Sequence, residues 1–485
     1  SERLTHAAAA PEAAADGAPP GALTPTSGSA QPAGGAQPAV ASACAGGFHL
    51  LALGAAGAAD TAGAVLSAGE NAASQLCRRT KADVEAELGA VPSPDGTALT
   101  LAGCGAFHSI LVARDALYTC GEGATDEPAD GKTTGLRHAK GAAAAGVSGA
   151  DGARGQGGGV ALTTVALPGW VPSDAIVSVA GGHEHSVALS AAGRLWTWGK
   201  NEFGQLGWAP LAPDRRALPA AELRLPPAAL GAPAPTIRRV AVGAFHTCVV
   251  STDGELFTFG LNSHGQLARP IALNNHAQPA RVRLPAAHAG ARVEAAAAGV
   301  YHTVVLLRGG GVCSFGDNSF GQLASGVAHR RGACRDDFGA ESGAVVQVSA
   351  GEVHTLVLTA EGRVLSWGSN LQRQGGRDFD EPVLTAPGVV PVPLEQGERV
   401  VRVEAGGYRG VLVTSLGRLL TLGLGPEHED QLDELADAEQ PLGPDDDVGE
   451  STAPKRQPVL RRAAPPGPDA DVEPDNFDEE DEDEF

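Results

Sequence analysis

Six histidines share one local frame, Gly-x-x-His: His49, His108, His185, His246, His302 and His354, with Arg409 in the same frame of a seventh copy. Repeated imidazoles could ligate a metal or move protons. The pattern points elsewhere. Successive copies lie 59, 77, 61, 56, 52 and 55 residues apart, so each histidine belongs to its own structural unit. The seventh copy carries a guanidinium, which is always charged and cannot ligate. The expected role of each imidazole is structural, tying its strand to a neighbouring backbone group.

Other chemistry is absent by motif. "DEPADGKTT" at 126–134 ends like a phosphate-binding loop but has Asp126 where that loop needs glycine. No Gly-x-Ser-x-Gly, His-Glu-x-x-His or paired-carboxylate constellation occurs, so an enzyme is not expected and no cofactor or metal is called for. The seven cysteines form no Cys-x-x-Cys pair. Their odd number and lack of framework suggest a reducing compartment, with thiols serving as small core residues.

The elements that carry the histidines repeat with them. A landmark glycine follows each frame residue, preceded by an aromatic in four copies: 13 residues separate His185 from Trp198, His246 from Phe259, His302 from Phe315, His354 from Trp367 and Arg409 from Leu422, while copy two gives 12 to Cys120 and copy one 19 to Ala68. Between the two points lie short apolar runs and a glycine turn, as in "HSVALSAAGRLWTWG". Such runs read as antiparallel strands joined by hairpins. A fourth extended piece precedes several copies, for example "QPARVRLP" before the fifth. Four strands per unit cannot bury both faces alone, and seven units arranged radially close a ring. The fold class is therefore all-β, a seven-bladed β-propeller. Trp198, Phe259, Phe315 and Trp367 are expected to fill the core between blades, and the landmark glycines to permit close strand approach.

The repeat resembles the regulator of chromosome condensation family. Besides Gly-x-x-His, the chain has that family's Asn-x-x-Gly-Gln-Leu element at Asn201–Leu206, Asn262–Leu267 and Asn318–Leu323, with degraded forms at Asn71–Leu76 and Asn370–Gly375. The resemblance covers most of the chain and implies a seven-bladed propeller. WD-repeat and kelch signatures are missing, as is the Gly-Trp-Arg-His-Thr motif of the plant ultraviolet-B photoreceptor, which shares the fold. In the founding member of the family a wedge inserted in one blade drives nucleotide release from a small GTPase. Here the longest insertion, residues 121–170, is rich in Gly and Ala and reads as a surface loop.

Charge divides the chain. The 57 acids and 35 bases give a net charge of −22, of which residues 426–485 carry −18 through 22 acids and four bases. The remainder carries about −4, which opposes a nucleic-acid face. The organisation expected is a low-complexity extension at 1–38, seven repeats over 39–425, a short acidic helix and ring-closing strand at 426–462, and an acidic tail at 463–485. Pro458–Leu460 is expected to pair into the first blade. Phe477 and Phe485 bracket the acidic run and are candidate partner-binding anchors. No run approaches a membrane span. Either a cleaved presequence or an excised initiator Met fits a chain starting at Ser1, and the compartment expected is intracellular: cytoplasm, cilium or mitochondrion ahead of the nucleus.

The function expected is a non-catalytic scaffold for protein–protein contacts within a larger assembly, with one or more protein partners and a basic partner surface for the tail. The first alternative is a guanine-nucleotide exchange factor for a small GTPase. The second is chromatin or basic-protein binding through the tail.

Overall fold

The structure is a computed structural model describing residues 39–423, apart from 56–62, 79, 81–83, 94–95, 122–161, 209–216, 228–232, 272–274, 326–331, 336–342 and 378–380. It is built almost wholly of strands. The first blade holds β1 (Val40–Ala45), β2 (His49–Gly54), β3 (Val65–Glu70) and β4 (Val84–Ala90). The second holds β5 (Leu99–Cys104), β6 (His108–Ala113), β7 (Leu117–Gly121) and β8 (Thr163–Thr164). The third runs β9 (Ile176–Gly181), β10 (His185–Ser190), β11 (Leu195–Lys200), β12 (Ala217–Leu223), and the fourth β13 (Ile237–Val242), β14 (His246–Ser251), β15 (Leu256–Leu261), β16 (Asn275–Arg281). The fifth is β17 (Val293–Ala298), β18 (His302–Leu307), β19 (Val312–Gly316), β20 (Gly332–Arg335), and the sixth β21 (Val345–Ala350), β22 (His354–Thr359), β23 (Val364–Ser369), β24 (Val383–Val389). The seventh has three described strands, β25 (Val400–Gly406), β26 (Arg409–Thr414) and β27 (Leu419–Leu422). The chain is a seven-bladed propeller.

Every blade is an antiparallel meander whose first strand faces the neighbouring first strands. The extended piece before a repeat is the outermost strand of the blade the chain is leaving: β16 pairs with β15, not with β17. The first blade takes all four strands from residues 40–90. The strand expected at Pro458–Leu460, the helix expected at 426–462 and the acidic tail lie outside the described residues. The end of the 121–170 segment is not insertion, because Thr163 and Thr164 pair with Thr119 and Tyr118 as the outer strand of blade two.

Seven apolar clusters hold the ring, one at each junction between blades. At the third junction Val187, Leu189 and Leu195 of blade three meet Val249, Phe257 and Phe259 of blade four. Trp198, Phe315 and Trp367 are buried in equivalent clusters. A β-sheet face buries its apolar set only against another sheet, so blade count and ring closure follow from one packing requirement. The ring closes where Val40, Ala43 and Leu50 pack on Val411, Val413 and Leu419. The Val40 amide also donates to the Gly417 carbonyl at 2.9 Å.

The cysteine reading is corrected. Cys44 on β1 is bridged to Cys104 on β5, and Cys77 after β3 to Cys120 on β7. Cys313 is also disulfide-bonded, and Cys248 is a buried free thiol. Both described bridges staple blade one to blade two, with Cα separations of 5.8 and 5.5 Å. They escaped notice because their partners are 60 and 43 residues apart on different blades. The inference of a reducing compartment rested on unpaired thiols, and the bridges remove that premise. Among the described residues no helix is long and apolar enough to cross a membrane.

Candidate functional site

The repeat histidines start the second strand of blades one to six and are buried. Five of them meet side-chain hydroxyls of the next blade, and His49 and His354 meet the backbone of the next blade at His108 and Arg409. Nε2 of His49 lies 2.8 Å from Ser109 Oγ, His108 2.8 Å from Ser186, His185 3.1 Å from Thr247, His246 2.8 Å from Thr303, and His302 3.3 Å from Thr355. Four of those hydroxyls donate onward to a glutamine carbonyl of the preceding blade: Ser109 to Gln75, Thr247 to Gln205, Thr303 to Gln266 and Thr355 to Gln322. A hydroxyl that donates to a carbonyl must accept from the imidazole, which fixes the Nε2–H tautomer. Burial pushes the imidazoles down, to about 3 for His49, His185, His246 and His354 and about 4 for His108 and His302. They are neutral clamps.

The Asn-x-x-Gly-Gln-Leu element builds the other jaw. Asn201 Oδ1 accepts from the Leu206 amide at 3.0 Å, and Gln205 Oε1 from the Phe203 amide at 2.9 Å. The turn closes on itself and holds the glutamine carbonyl toward the next blade. The degraded copies keep this geometry: Asn71 binds the Leu76 amide and Asn370 the Gly375 amide. The landmark glycines leave room for the histidine. Gly260 sits at φ +112°, and a Cβ there would fall 2.5 Å from the Phe245 carbonyl oxygen.

Two junctions lack the clamp. Blade seven has Gly410 where others carry Ser or Thr, and Nε2 of His354 meets no hydroxyl. Blade one has Leu50 at that position, beside the blade whose frame residue is Arg409. The sixth junction is instead linked near the axis, where Gln347 donates to the Val403 carbonyl at 2.6 Å and the Ala405 amide to Ser349 at 2.8 Å.

With the histidines committed to the ring, attention moves to the two x residues before them. They form the first-to-second-strand turns, which share one end of the propeller with the Asn-x-x-Gly-Gln loops. The turns interlock through the backbone: the His183 amide donates to Ala244 O at 3.0 Å and the Glu352 amide to Gly407 O at 2.9 Å. Their side chains form a collar, one residue per blade: Phe48, Phe107, His183, Phe245, Tyr301, Glu352 and Tyr408, all half-buried. Ring centroids run 6.1 Å from Phe48 to Phe107, 5.1 Å to His183, 5.3 Å to Phe245 and 6.4 Å to Tyr301. Phe203 and His264 of the neighbouring loops add at 5.4 Å from Phe245 and 4.4 Å from Tyr301.

Collar charge is uneven. Glu184 is held down to about 2 by its bonds to His183 and Lys200 and by their charges, which outweigh the burial opposing them. Burial instead pushes the Glu352 carboxyl up, against the Tyr408 phenol that hydrogen-bonds to it. Tyr301 is pushed up by burial and by the charges of Asp317 and Glu352. The opposite end carries, in blade order, Val177, the Arg238–Glu294 ion pair at 2.8 Å, Val346 and Val401. Among the described residues no three His, Cys, Asp or Glu are grouped to hold a metal. The collar was missed in the sequence because its identity varies and because His183 and Glu352 stand one place earlier in their turns than the other five. The signal was that five of the seven residues just before the frame position are Phe or Tyr, and the two exceptions, Glu184 and Val353, directly follow His183 and Glu352. Phe477 and Phe485 lie outside the described residues.

These junctions and turns define a propeller of the regulator of chromosome condensation type. Repeat models described as "Regulator of chromosome condensation (RCC1) repeat" match residues 176–205, 237–266, 293–322 and 345–374, and also 192–250 and 253–306. It is 32% identical over 245 residues to the secretion-regulating guanine nucleotide exchange factor of Bos taurus, covering 49% of this chain and 50% of that protein. It is 29% identical over 263 residues to the probable E3 ubiquitin-protein ligase HERC6 of Homo sapiens, covering 50% and 23% respectively. The Ultraviolet-B receptor UVR8 of Arabidopsis thaliana is 28% identical over 275 residues, covering 55% and 57%. The chain thus spans from about a quarter to just over half of the length of these relatives. Prp20p from Saccharomyces cerevisiae superposes with a TM-score of 0.57 at 19% identity, covering 81% of this chain and 85% of that one, which establishes the fold.

Proposed function

We propose that this chain is a non-catalytic propeller that docks a protein partner on its Gly-x-x-His end, within a larger assembly. The observation that carries the reading is the collar. The histidines, the landmark aromatics and the glutamine loops are consumed by ring assembly, whereas the collar rings are half-exposed and contiguous across five blades. Contiguous exposed aromatics mark contact surfaces and supply most of the energy of protein interfaces. The test is affinity purification from the source cell with the wild type and with Phe107→Ala/Phe245→Ala. The partner should be lost from the variant at an unchanged melting temperature. Retention of every partner would move the site elsewhere. The acidic tail belongs to the same proposal as a second contact for a basic partner, anchored by Phe477 or Phe485, and removal after Pro468 reports on it.

The second reading, a guanine-nucleotide exchange factor, is supported by the similarity to the cattle exchange factor and by the fold shared with yeast Prp20p, which binds Gsp1p and histones. Accelerated release of labelled nucleotide from a loaded small GTPase would select it over the scaffold. Binding to basic proteins through the tail would show as a complex that weakens with salt.

A further inference from the structure

The collar also indicates what its occupant looks like, and this step rests on the docking reading above. Of the two carboxylates beside the frame positions, Glu184 and Glu352, only Glu352 has no Lys or Arg partner among the described residues. Glu184 is bonded to Lys200 and His183. Among the described residues neither Lys nor Arg pairs with Glu352; a phenol hydrogen-bonds to it, and His183 acts on it across the axis. A carboxylate partly withdrawn from water without a cation at hand carries a cost, which is recovered when a cation arrives. Glu352 stands between Tyr301 and Tyr408 in blade order, with Phe245 one blade further. Aromatic faces beside a carboxylate suit a planar cation, which stacks on the rings and forks onto the oxygens.

We propose that the collar is a receptor for an arginine side chain of the partner protein, held by the rings of Phe245 and Tyr301 and by the Glu352 carboxylate. Charge excludes two other occupants. The acidic tail of this chain, with its 22 acids against four bases over 426–485, would be repelled by Glu352 and Asp317. A nucleic acid would be repelled in the same way. The arginine-bearing surface that the collar accepts is also the kind of surface an acidic tail attracts, so the two contacts select the same partner.

The experiment is selection of random displayed peptides on the full chain, repeated on Glu352→Gln and on Phe245→Ala/Tyr301→Ala. Wild type should enrich arginine-containing peptides that both variants fail to retain. A synthesised enriched peptide should bind at least about tenfold more weakly when its arginine is replaced by neutral citrulline. The same citrulline change should cost less than about twofold on Glu352→Gln, because the two changes remove one interaction. If the double aromatic variant unfolds, Glu352→Gln alone carries the test. Enriched peptides that tolerate citrulline or lysine without loss would overturn the proposal, as would a selection with no Glu352-dependent peptide. Should the cellular partner depend on the aromatic rings but not on Glu352, this inference falls and the docking reading stands. Should nothing depend on the collar, both fall.

Discussion

His246 reaches across a blade boundary to Thr303, 2.8 Å from Nε2 to Oγ1, and Thr303 passes the link back to the Gln266 carbonyl at 2.7 Å. One hydroxyl on blade five is thereby held by two groups of blade four. All three atoms are buried, so losing one leaves the others unsatisfied. Thr303→Val should cost about 1–3 kcal/mol of stability. His246→Ala should cost more than His354→Ala by about 1 kcal/mol, since His354 meets no hydroxyl to lose. Urea titrations of the three variants check the ordering. Equal costs at His246 and His354 would reduce the clamp to simple packing.

The same histidines make stability depend on pH. Folded, they titrate near 3 to 4; unfolded, near 6.5. Between those values the unfolded chain binds more protons, so stability rises with pH and is lost as pH falls from about 6.5 toward 4. Each such histidine adds a slope of up to about 1.4 kcal/mol per pH unit in that window. Glu404, pushed up to about 7 by burial, acts in the opposite direction in this window, so the imidazole contribution is read as the difference between a histidine variant and wild type from pH 6.5 to 5. His246→Gln should be less stable than wild type at pH 7.5 and show a shallower fall on acidification. A slope unchanged by the substitution would mean that His246 is solvated.

Much of this was legible in the residues. The interval from His246 to Phe259, repeated at His302 and Phe315, gave the strand pair and its hairpin, and seven copies gave the blade number. What the histidine held was not legible, although Thr247 and Thr303 stand beside their own histidines in the sequence. Their role appears only when one blade is set against the next, a relation between residues 57 positions apart. The same distance in sequence hid the Cys44–Cys104 bridge. The collar was hidden differently: Phe107, His183 and Glu352 share no chemistry, and only the turn geometry brings them to one ring.

The bridges predict a reducible reinforcement of one junction. Cys44–Cys104 closes a loop of 60 residues and Cys77–Cys120 one of 43, both between blades one and two. Cross-links of that span typically stabilise by about 2–4 kcal/mol. Cys44→Ser/Cys104→Ser should therefore lower the melting temperature under oxidising conditions, and a thiol reductant should bring wild type toward the variant. Mass spectrometry of protein alkylated after unfolding without reduction should show Cys248 labelled and Cys44, Cys77, Cys104 and Cys120 protected. Labelling of all five would remove the staple.

The closing seam should open first. At the junction of blade seven with blade one there is no histidine–hydroxyl clamp, because Leu50 stands where Ser109 or Thr303 stands elsewhere. Closure rests on apolar packing of Val40, Ala43 and Leu50 against Val411, Val413 and Leu419, with the Val40–Gly417 hydrogen bond at its rim. A ring opens at its weakest junction, and local opening governs amide exchange. Amides of β1 and β26 should exchange faster than those of β14 and β18, whose blades are clamped on both sides. Leu419, fully buried in the seam, should cost about 2–5 kcal/mol when replaced by alanine. In that variant faster exchange should spread from β26 into β1 before it reaches β14. Equal protection of the four strands in wild type would show that the clamps do not set the order in which the ring opens.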